Sequence, residues 1–152
     1  MRLAVGSDEK TGLTDAVVEE LRRRGHEVSL VGPLAGVKKT WPAVAREVAE
    51  AVAGGVADEG VLFCWTGTGV SLAANKVPGI RAALCDDAET ARGARLWNKA
   101  NVLCLSLRQT SQAAAKEILE AWFLTSYKPN PEDDSCMAEV QALEDEYRKK
   151  GS

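Results

Sequence analysis

Residues 60–64 read Gly-Val-Leu-Phe-Cys, an apolar run without polar alternation, and this pattern predicts a central strand covered on both faces. Shorter β-rich runs at 3–6, 27–31, 80–85 and 102–105 predict further strands, and helical periodicity recurs over 13–24, 44–53, 70–75, 88–96 and 111–124. Such alternation predicts an α/β protein with a parallel sheet and helices on both faces. The helix over 13–24 shows the logic: Leu13, Val17, Val18 and Leu21 share one stripe, Glu19, Glu20, Arg22, Arg23 and Arg24 lie opposite, and Gly25 stops it. After Tyr127 the pattern changes. Lys128-Pro129-Asn130-Pro131 reads as a turn, and 132–150 as a charged helix carrying only a narrow stripe of Met137, Val140, Leu143 and Tyr147. The chain therefore divides into a main body over 1–127 and a helical tail over 128–152 of the same single domain, the tail suited to embrace a second subunit.

With 152 residues and 45% hydrophobic content, one core is expected and two independent domains are not. A net charge of −3 leaves no basic footprint for nucleic acid. No apolar run approaches 18 residues and the first residues enter a strand directly, so no membrane segment or signal peptide is expected and the location is read as cytoplasmic. Cys64, Cys85, Cys104 and Cys136 form no C-x-x-C pair, and the chain holds one histidine, so reduced thiols and no metal are expected.

Parallel strands ending near Gly6, Val31, Cys64, Cys85 and Leu105 bring the loops that follow them to one rim, where open α/β sheets bind ligands. The candidate residues are therefore Ser7-Asp8-Glu9, Thr40-Trp41, Cys64 to Gly69, Asp86-Asp87 and Ser106 to Arg108. Cys64-Trp65-Thr66-Gly67-Thr68-Gly69 is the richest of these, a thiol at a strand end followed by small residues whose amides can turn into a cavity. Cys64 as a catalytic thiol stands against Cys64 as a core thiol. Cys85 and Cys104 read as core, and Cys136 as incidental. His26, at a helix-to-strand turn, reads as a surface or capping residue. Asp8 and Glu9 are either an acid/base pair or caps for the next helix. For Trp41, Trp65 and Trp97, packing and ligand stacking stand even. The spacing fits neither a dinucleotide fingerprint nor a P-loop.

In combination, Ala4-Val5-Gly6-Ser7-Asp8, Arg24-Gly25-His26-Glu27-Val28, Cys64 to Gly69, Ala73 to Cys85, Thr90-Ala91-Arg92 and Asn98 to Cys104 resemble the ribose-5-phosphate isomerase B family, which includes the galactose-6-phosphate isomerase subunits. The resemblance covers most of 1 to 125. It implies a three-layer Rossmann-like sandwich around a five-stranded parallel sheet, a homodimer or dimer of dimers with shared sites, no cofactor, and an aldose–ketose isomerase working through an enediolate. It implies Cys64 as base, Gly67 and Gly69 amides (with Thr68 beside them) as anion hole, Thr66 in ring opening, and Asp8 and Asn98 on substrate oxygens. Glu9, Trp65, Trp97, Trp41 and Arg108 complete the expected substrate contacts.

The departures from the family pattern are specific. Ser-Asp-His-Ala-Gly becomes Ser7-Asp8-Glu9-Lys10-Thr11, Cys-His-Asp becomes Cys85-Asp86-Asp87, Glu-His-Asn becomes Leu96-Trp97-Asn98, and the Gly after the thiol becomes Trp65. The segment that usually reaches the partner's phosphate with arginines and a histidine reads Pro131-Glu132-Asp133-Asp134-Ser135-Cys136. Carboxylates in place of cations turn attraction into repulsion, about 4 kcal/mol per close pair at an effective dielectric near 20. Arg108, Arg92 and Lys10 remain as anion ligands. The expected substrate is a sugar, sugar phosphate or sugar acid other than ribose 5-phosphate, and the alternative is a silent sugar-binding relative or a partner subunit of a heteromeric isomerase.

Overall fold

The computed structural model describes residues 1–151. Strands β1 (Arg2–Ser7), β2 (Glu27–Val31), β3 (Glu59–Cys64), β4 (Ala82–Leu84) and β5 (Val102–Ser106) form one parallel sheet in the order β2-β1-β3-β5-β4. Helices α1 (Gly12–Arg23), α2 (Trp41–Ala53), α3 (Thr68–Ala74), α4 (Ala88–Asn98) and α5 (Gln112–Leu124) connect the strands, and α6 (Pro131–Lys150) follows them.

The inner strands β1, β3 and β5 bury both faces, and their alternation sorts side chains into two cores. Leu3, Val5, Val61, Phe63, Leu103 and Leu105 pack with α1, α4 and α5, while Ala4, Leu62, Cys64, Val102 and Cys104 pack with α2 and α3. Period-two alternation into two apolar layers is what a doubly covered parallel strand requires. These layers make the three-layer α/β/α sandwich expected from the sequence.

Boundaries follow local chemistry. Helix α1 starts where Thr11 accepts from the Thr14 amide and Thr14 in turn accepts from the Thr11 amide, a reciprocal cap. Helix α2 begins earlier than periodicity suggests, because Thr40 caps it and Pro42 suits its first turn. Strand β4 is shorter than the expected 80–85. At its outer edge the Asn75 side chain donates to the Ala82 carbonyl at 3.0 Å and accepts from its amide at 2.8 Å, standing in for a neighbouring strand.

Helix α6 buries no residue. Its start is set by Asn130, which accepts from the Asp133 amide at 2.9 Å, and Glu132, Asp133 and Asp134 fill its first turn. Carboxylates there face the positive end of the helix dipole, and Arg148, Lys149 and Lys150 balance the other end. No helix among the described residues is long and apolar enough to cross a membrane.

Candidate active site

Strand order reverses direction between β1 and β3, because β1 leads outward to β2 and the chain then crosses back to β3. Open α/β sheets bind ligands above such a switch point. Cys64 ends β3 there, and Ser7 at the end of β1 is in register with Phe63, which brings Asp8 beside Cys64.

The loop after Cys64 is held by the loop after β5. The Leu107 amide donates to the Cys64 carbonyl at 2.9 Å, and the Trp65 carbonyl accepts from the Arg108 amide and the Ser106 hydroxyl, both at 3.0 Å. Ser106 is buried and its Oγ also accepts from the Gln109 amide at 3.1 Å. With Trp65 fixed, the chain turns at Gly67 (φ +77°), where a Cβ would lie 2.5 Å from Leu84 Cδ1 and 3.1 Å from the Leu105 carbonyl carbon. Only glycine fits that conformation and that contact together. Thr66 and Thr68 flank the turn with their hydroxyls 2.7 Å apart.

These residues line a cavity of about 190 Å³ with Leu84, Asp86, Ser106, Arg108 and Gln109. Arg108 and Asp86 form no ion pair among the described residues, so one cation and one anion face the same small space. Asp87 has another task, accepting from the Thr90 amide at 2.7 Å as the cap of α4, and this bond holds its carboxyl below the usual range. Gln109 carried no signal in the sequence. Ser106 lay on the expected rim, but its hydrogen bond to a residue 41 positions away is invisible to local pattern.

On β1's loop, Ser7 Oγ donates to the Glu9 carbonyl at 2.6 Å and accepts from its amide at 3.1 Å. Thr11 caps α1, so the capping alternative for Asp8 and Glu9 falls away. Asp8 Oδ1 is buried without any hydrogen-bond partner. A buried acceptor left open is costly and calls for a donor.

Of the indoles, Trp65 is 60% exposed and Trp41 lies against Gly69, where a Cβ would stand 3.0 Å from its ring. Both flank the Cys64 loop. Trp97 and Asn98 do not: α4 runs back along the sheet, so its last residues reach the opposite edge, on the order of 15 Å from Cys64 along a five-residue strand. Trp97 packs on Gly93 of its own helix, and Asn98 lines a separate groove under α6. The structure thus joins Cys64, Thr66, Gly67, Thr68, Gly69, Asp8, Glu9, Trp41, Trp65 and Arg108 on one rim, and leaves Trp97 and Asn98 outside it within one chain.

Cys85 and Cys104 behave as core, while Cys136 is exposed on α6. Cys85 is buried and its thiol is pushed up to about 12 by burial, with Asp86 and Asp87 adding to the shift. Burial drives Cys104 up further. His26, the one histidine of the chain, has Nδ1 3.2 Å from the Met1 amino nitrogen and its ring 4.5 Å from that of Phe123, away from the Cys64 rim. No cluster of metal-ligating side chains occurs among the described residues.

A thiol, an orphan carboxylate oxygen and a glycine turn at the switch point of an open α/β sheet make up the candidate site, and groups of these types are suited to acid–base chemistry on a small molecule. The family model described as Ribose/Galactose Isomerase matches residues 3–138. Ribose-5-phosphate isomerase B of Escherichia coli is 40% identical over 76% of this chain and 78% of its own length. D-erythrulose-4-phosphate isomerase of Pectobacterium atrosepticum is 36% identical over 80% and 82% respectively. The solved structure of Clostridium thermocellum ribose-5-phosphate isomerase B superimposes with TM-score 0.90 and 34% identity, covering 97% of this chain and 99% of that one. The chain belongs to the ribose/galactose isomerase family and is, with these relatives, an aldose–ketose isomerase.

Proposed function

We propose that this isomerase acts on a sugar derivative other than ribose 5-phosphate, with Cys64 as its carbon base. The observation that carries the reading is the thiol at the end of β3, set beside a loop whose carbonyls are tied down so that its amides are free for a ligand. Cys64 Sγ takes the proton from the carbon next to the carbonyl. The electron pair moves onto the carbonyl oxygen, giving an enediolate whose charge falls on the amides of Gly67 and Gly69. The proton of the neighbouring hydroxyl passes across to the former carbonyl oxygen, and the thiol returns its proton to the former carbonyl carbon, so that aldehyde and ketone exchange places without net oxidation. Asp8 Oδ1 accepts from a substrate hydroxyl and Arg108 holds the far end.

Asp86 shares the Arg108 cavity, which disfavours the dianionic phosphate of a pentose 5-phosphate. Two relatives are named for four-carbon substrates: the D-erythrulose-4-phosphate isomerase above, and a 4-deoxy-4-sulfo-D-erythrose isomerase of a Clostridium species, 28% identical over 99% of this chain. Of these two termini, the singly charged sulfonate of a short sugar suits the cavity better than a dianionic phosphate.

The site is completed by a second copy. Asn98 lies at the far edge of its own sheet, so the Asn98 that touches substrate is the partner subunit's.

The test is Cys64→Ala, read by exchange of the carbon-bound proton with solvent deuterium and by turnover on a panel of tetrose and pentose derivatives. Turnover falls by about 10²–10⁴-fold, the usual contribution of a positioned base. Full turnover in the variant would remove Cys64 from the mechanism.

A further inference from the structure

An aldose–ketose exchange moves two protons. Cys64 handles the one on carbon. The other leaves the C2 hydroxyl and ends on the C1 oxygen, and until it has moved the intermediate can only take its carbon proton back where it came from. This second transfer therefore decides whether enolisation yields product.

Two hydroxyls stand close to where it is needed. Thr66 and Thr68 flank the Gly67 turn just beyond Cys64, with their Oγ1 atoms 2.7 Å apart, and both line the cavity shared with Arg108. That spacing is a full O–H···O bond, and either oxygen can be its donor. Neither hydroxyl has a further partner among the described residues, which leaves the pair a free proton and spare lone pairs for a ligand. Their place is fixed. The Trp65 carbonyl ahead of them is held by two donors, Gly67 between them has no room for a Cβ, and β-branched threonine is stiff at χ1. Ser106, the other hydroxyl lining this cavity, is already committed, donating to the Trp65 carbonyl and accepting from the Gln109 amide.

We infer that Thr66 and Thr68 relay the second proton between the two reacting oxygens of the substrate. The oxygens of a cis-enediol stand on adjacent carbons, so two hydroxyls at hydrogen-bond distance from each other can meet both at once. In the enediolate formed from the aldose, the C1 oxygen carries the charge and the C2 oxygen its proton. The C2 hydroxyl gives its proton to one threonine oxygen, that threonine passes its own to the other, and the other passes its own to the C1 oxygen. Each threonine ends as a hydroxyl, the charge has moved from the C1 to the C2 oxygen, and no outside acid or base is consumed. The C2 oxygen then forms the carbonyl while C1 takes its proton from the Cys64 thiol. Only the direction of the bond between Thr66 and Thr68 has reversed, which sets the relay for the opposite reaction. The inference rests on the isomerase reading above and gives that site its route for the oxygen-bound proton.

The experiment follows D-erythrulose 4-phosphate, 4-deoxy-4-sulfo-D-erythrose and D-ribose 5-phosphate in deuterium oxide by NMR, measuring deuterium that enters recovered substrate beside its carbonyl against product formed. In Thr68→Val and, separately, Thr66→Val, the ratio of deuterium incorporated to product formed rises by about 10²-fold, because Cys64 still removes and replaces the carbon proton while the oxygen-bound proton is stranded. Thr68→Ser keeps the hydroxyl and returns the ratio to that of the wild type. An unchanged ratio in the valine variants overturns the relay and leaves the isomerase reading standing: if exchange and product fall together the pair only shapes or binds, and if neither falls the proton crosses directly between the substrate oxygens. Wild-type protein that gives neither exchange nor product from any of the three sugars overturns the isomerase reading and the relay with it.

Discussion

Asp8 carries the clearest residue-scale conflict in the molecule, a carboxylate oxygen buried beside the thiol with nothing donating to it. Such an atom lowers stability in the free protein and is of use only when a ligand supplies the donor. Asp8→Asn keeps the shape and removes the charge. Its melting temperature is expected to hold or rise by a few degrees, since about 1 kcal/mol shifts a domain of this size by roughly 2–4 °C, while kcat/KM falls by at least about tenfold. Differential scanning fluorimetry and steady-state kinetics on the same preparation check both, and a joint fall in stability and activity would make Asp8 a structural residue. The sequence favoured chemistry for Asp8 and left Glu9 open, because carboxylates ahead of a helix also serve as caps. The decision was made by Thr11 and Thr14, whose reciprocal bonds fill the cap. Thr66, Gly67 and Cys64 were legible earlier because a glycine turn after an apolar strand constrains the local backbone directly. Gln109 was not, because its place depends on Ser106 and hence on how two distant loops meet.

Strands and helices were readable because each carries its own period, and β2 matches the expected 27–31 to the residue. What the pattern missed lies between elements. Glu59, the first residue of β3, sits one place before the expected apolar run and is only 8% exposed. Its carboxylate pairs with Arg95 of α4 at 2.8 Å and accepts from Trp122 Nε1 of α5 at 2.6 Å, while the Arg95 guanidinium stands 4.8 Å over the Trp122 ring. Contacts between residues 36 and 63 positions apart leave no local trace. This network ties three elements at the end of the strands opposite Cys64. Arg95→Ala strips the buried carboxylate of its cation, which costs about 3–5 kcal/mol for a buried pair. Urea denaturation checks the loss, and turnover of the folded fraction stays near wild type because the network is remote from the thiol. A change in KM without a change in stability would mean that the network serves the site instead.

At the scale of the whole molecule, the tail poses a question that one chain does not answer by itself. Helix α6 is fixed at one point by Glu144, which accepts from the Gly79 amide at 3.0 Å, and at another by the Tyr127 hydroxyl on Asp134. Between them it roofs a groove of about 640 Å³ lined by Asn98, Met137, Val140, Leu143 and Tyr147 among others. Val140, Leu143 and Tyr147 are each more than half exposed, and a helix that buries nothing has no reason to carry an apolar stripe unless another surface covers it. The narrow stripe was visible in the sequence; which copy of Asn98 meets which Cys64 was not, since periodicity is blind to symmetry. If two copies share their sites, Cys64→Ala and Asn98→Ala disable each homodimer by different routes. Mixing the two inactive proteins under conditions that allow exchange then builds heterodimers in which one site carries both changes and the other carries neither. With random pairing about a quarter of all sites are intact, and about a quarter of wild-type activity returns. The same mixture with Leu143→Glu in both chains does not exchange into dimers and stays inactive. Activity that fails to return in the first mixture, with heterodimers confirmed by mass spectrometry, would assign Asn98 to the groove of its own chain and leave each site self-contained.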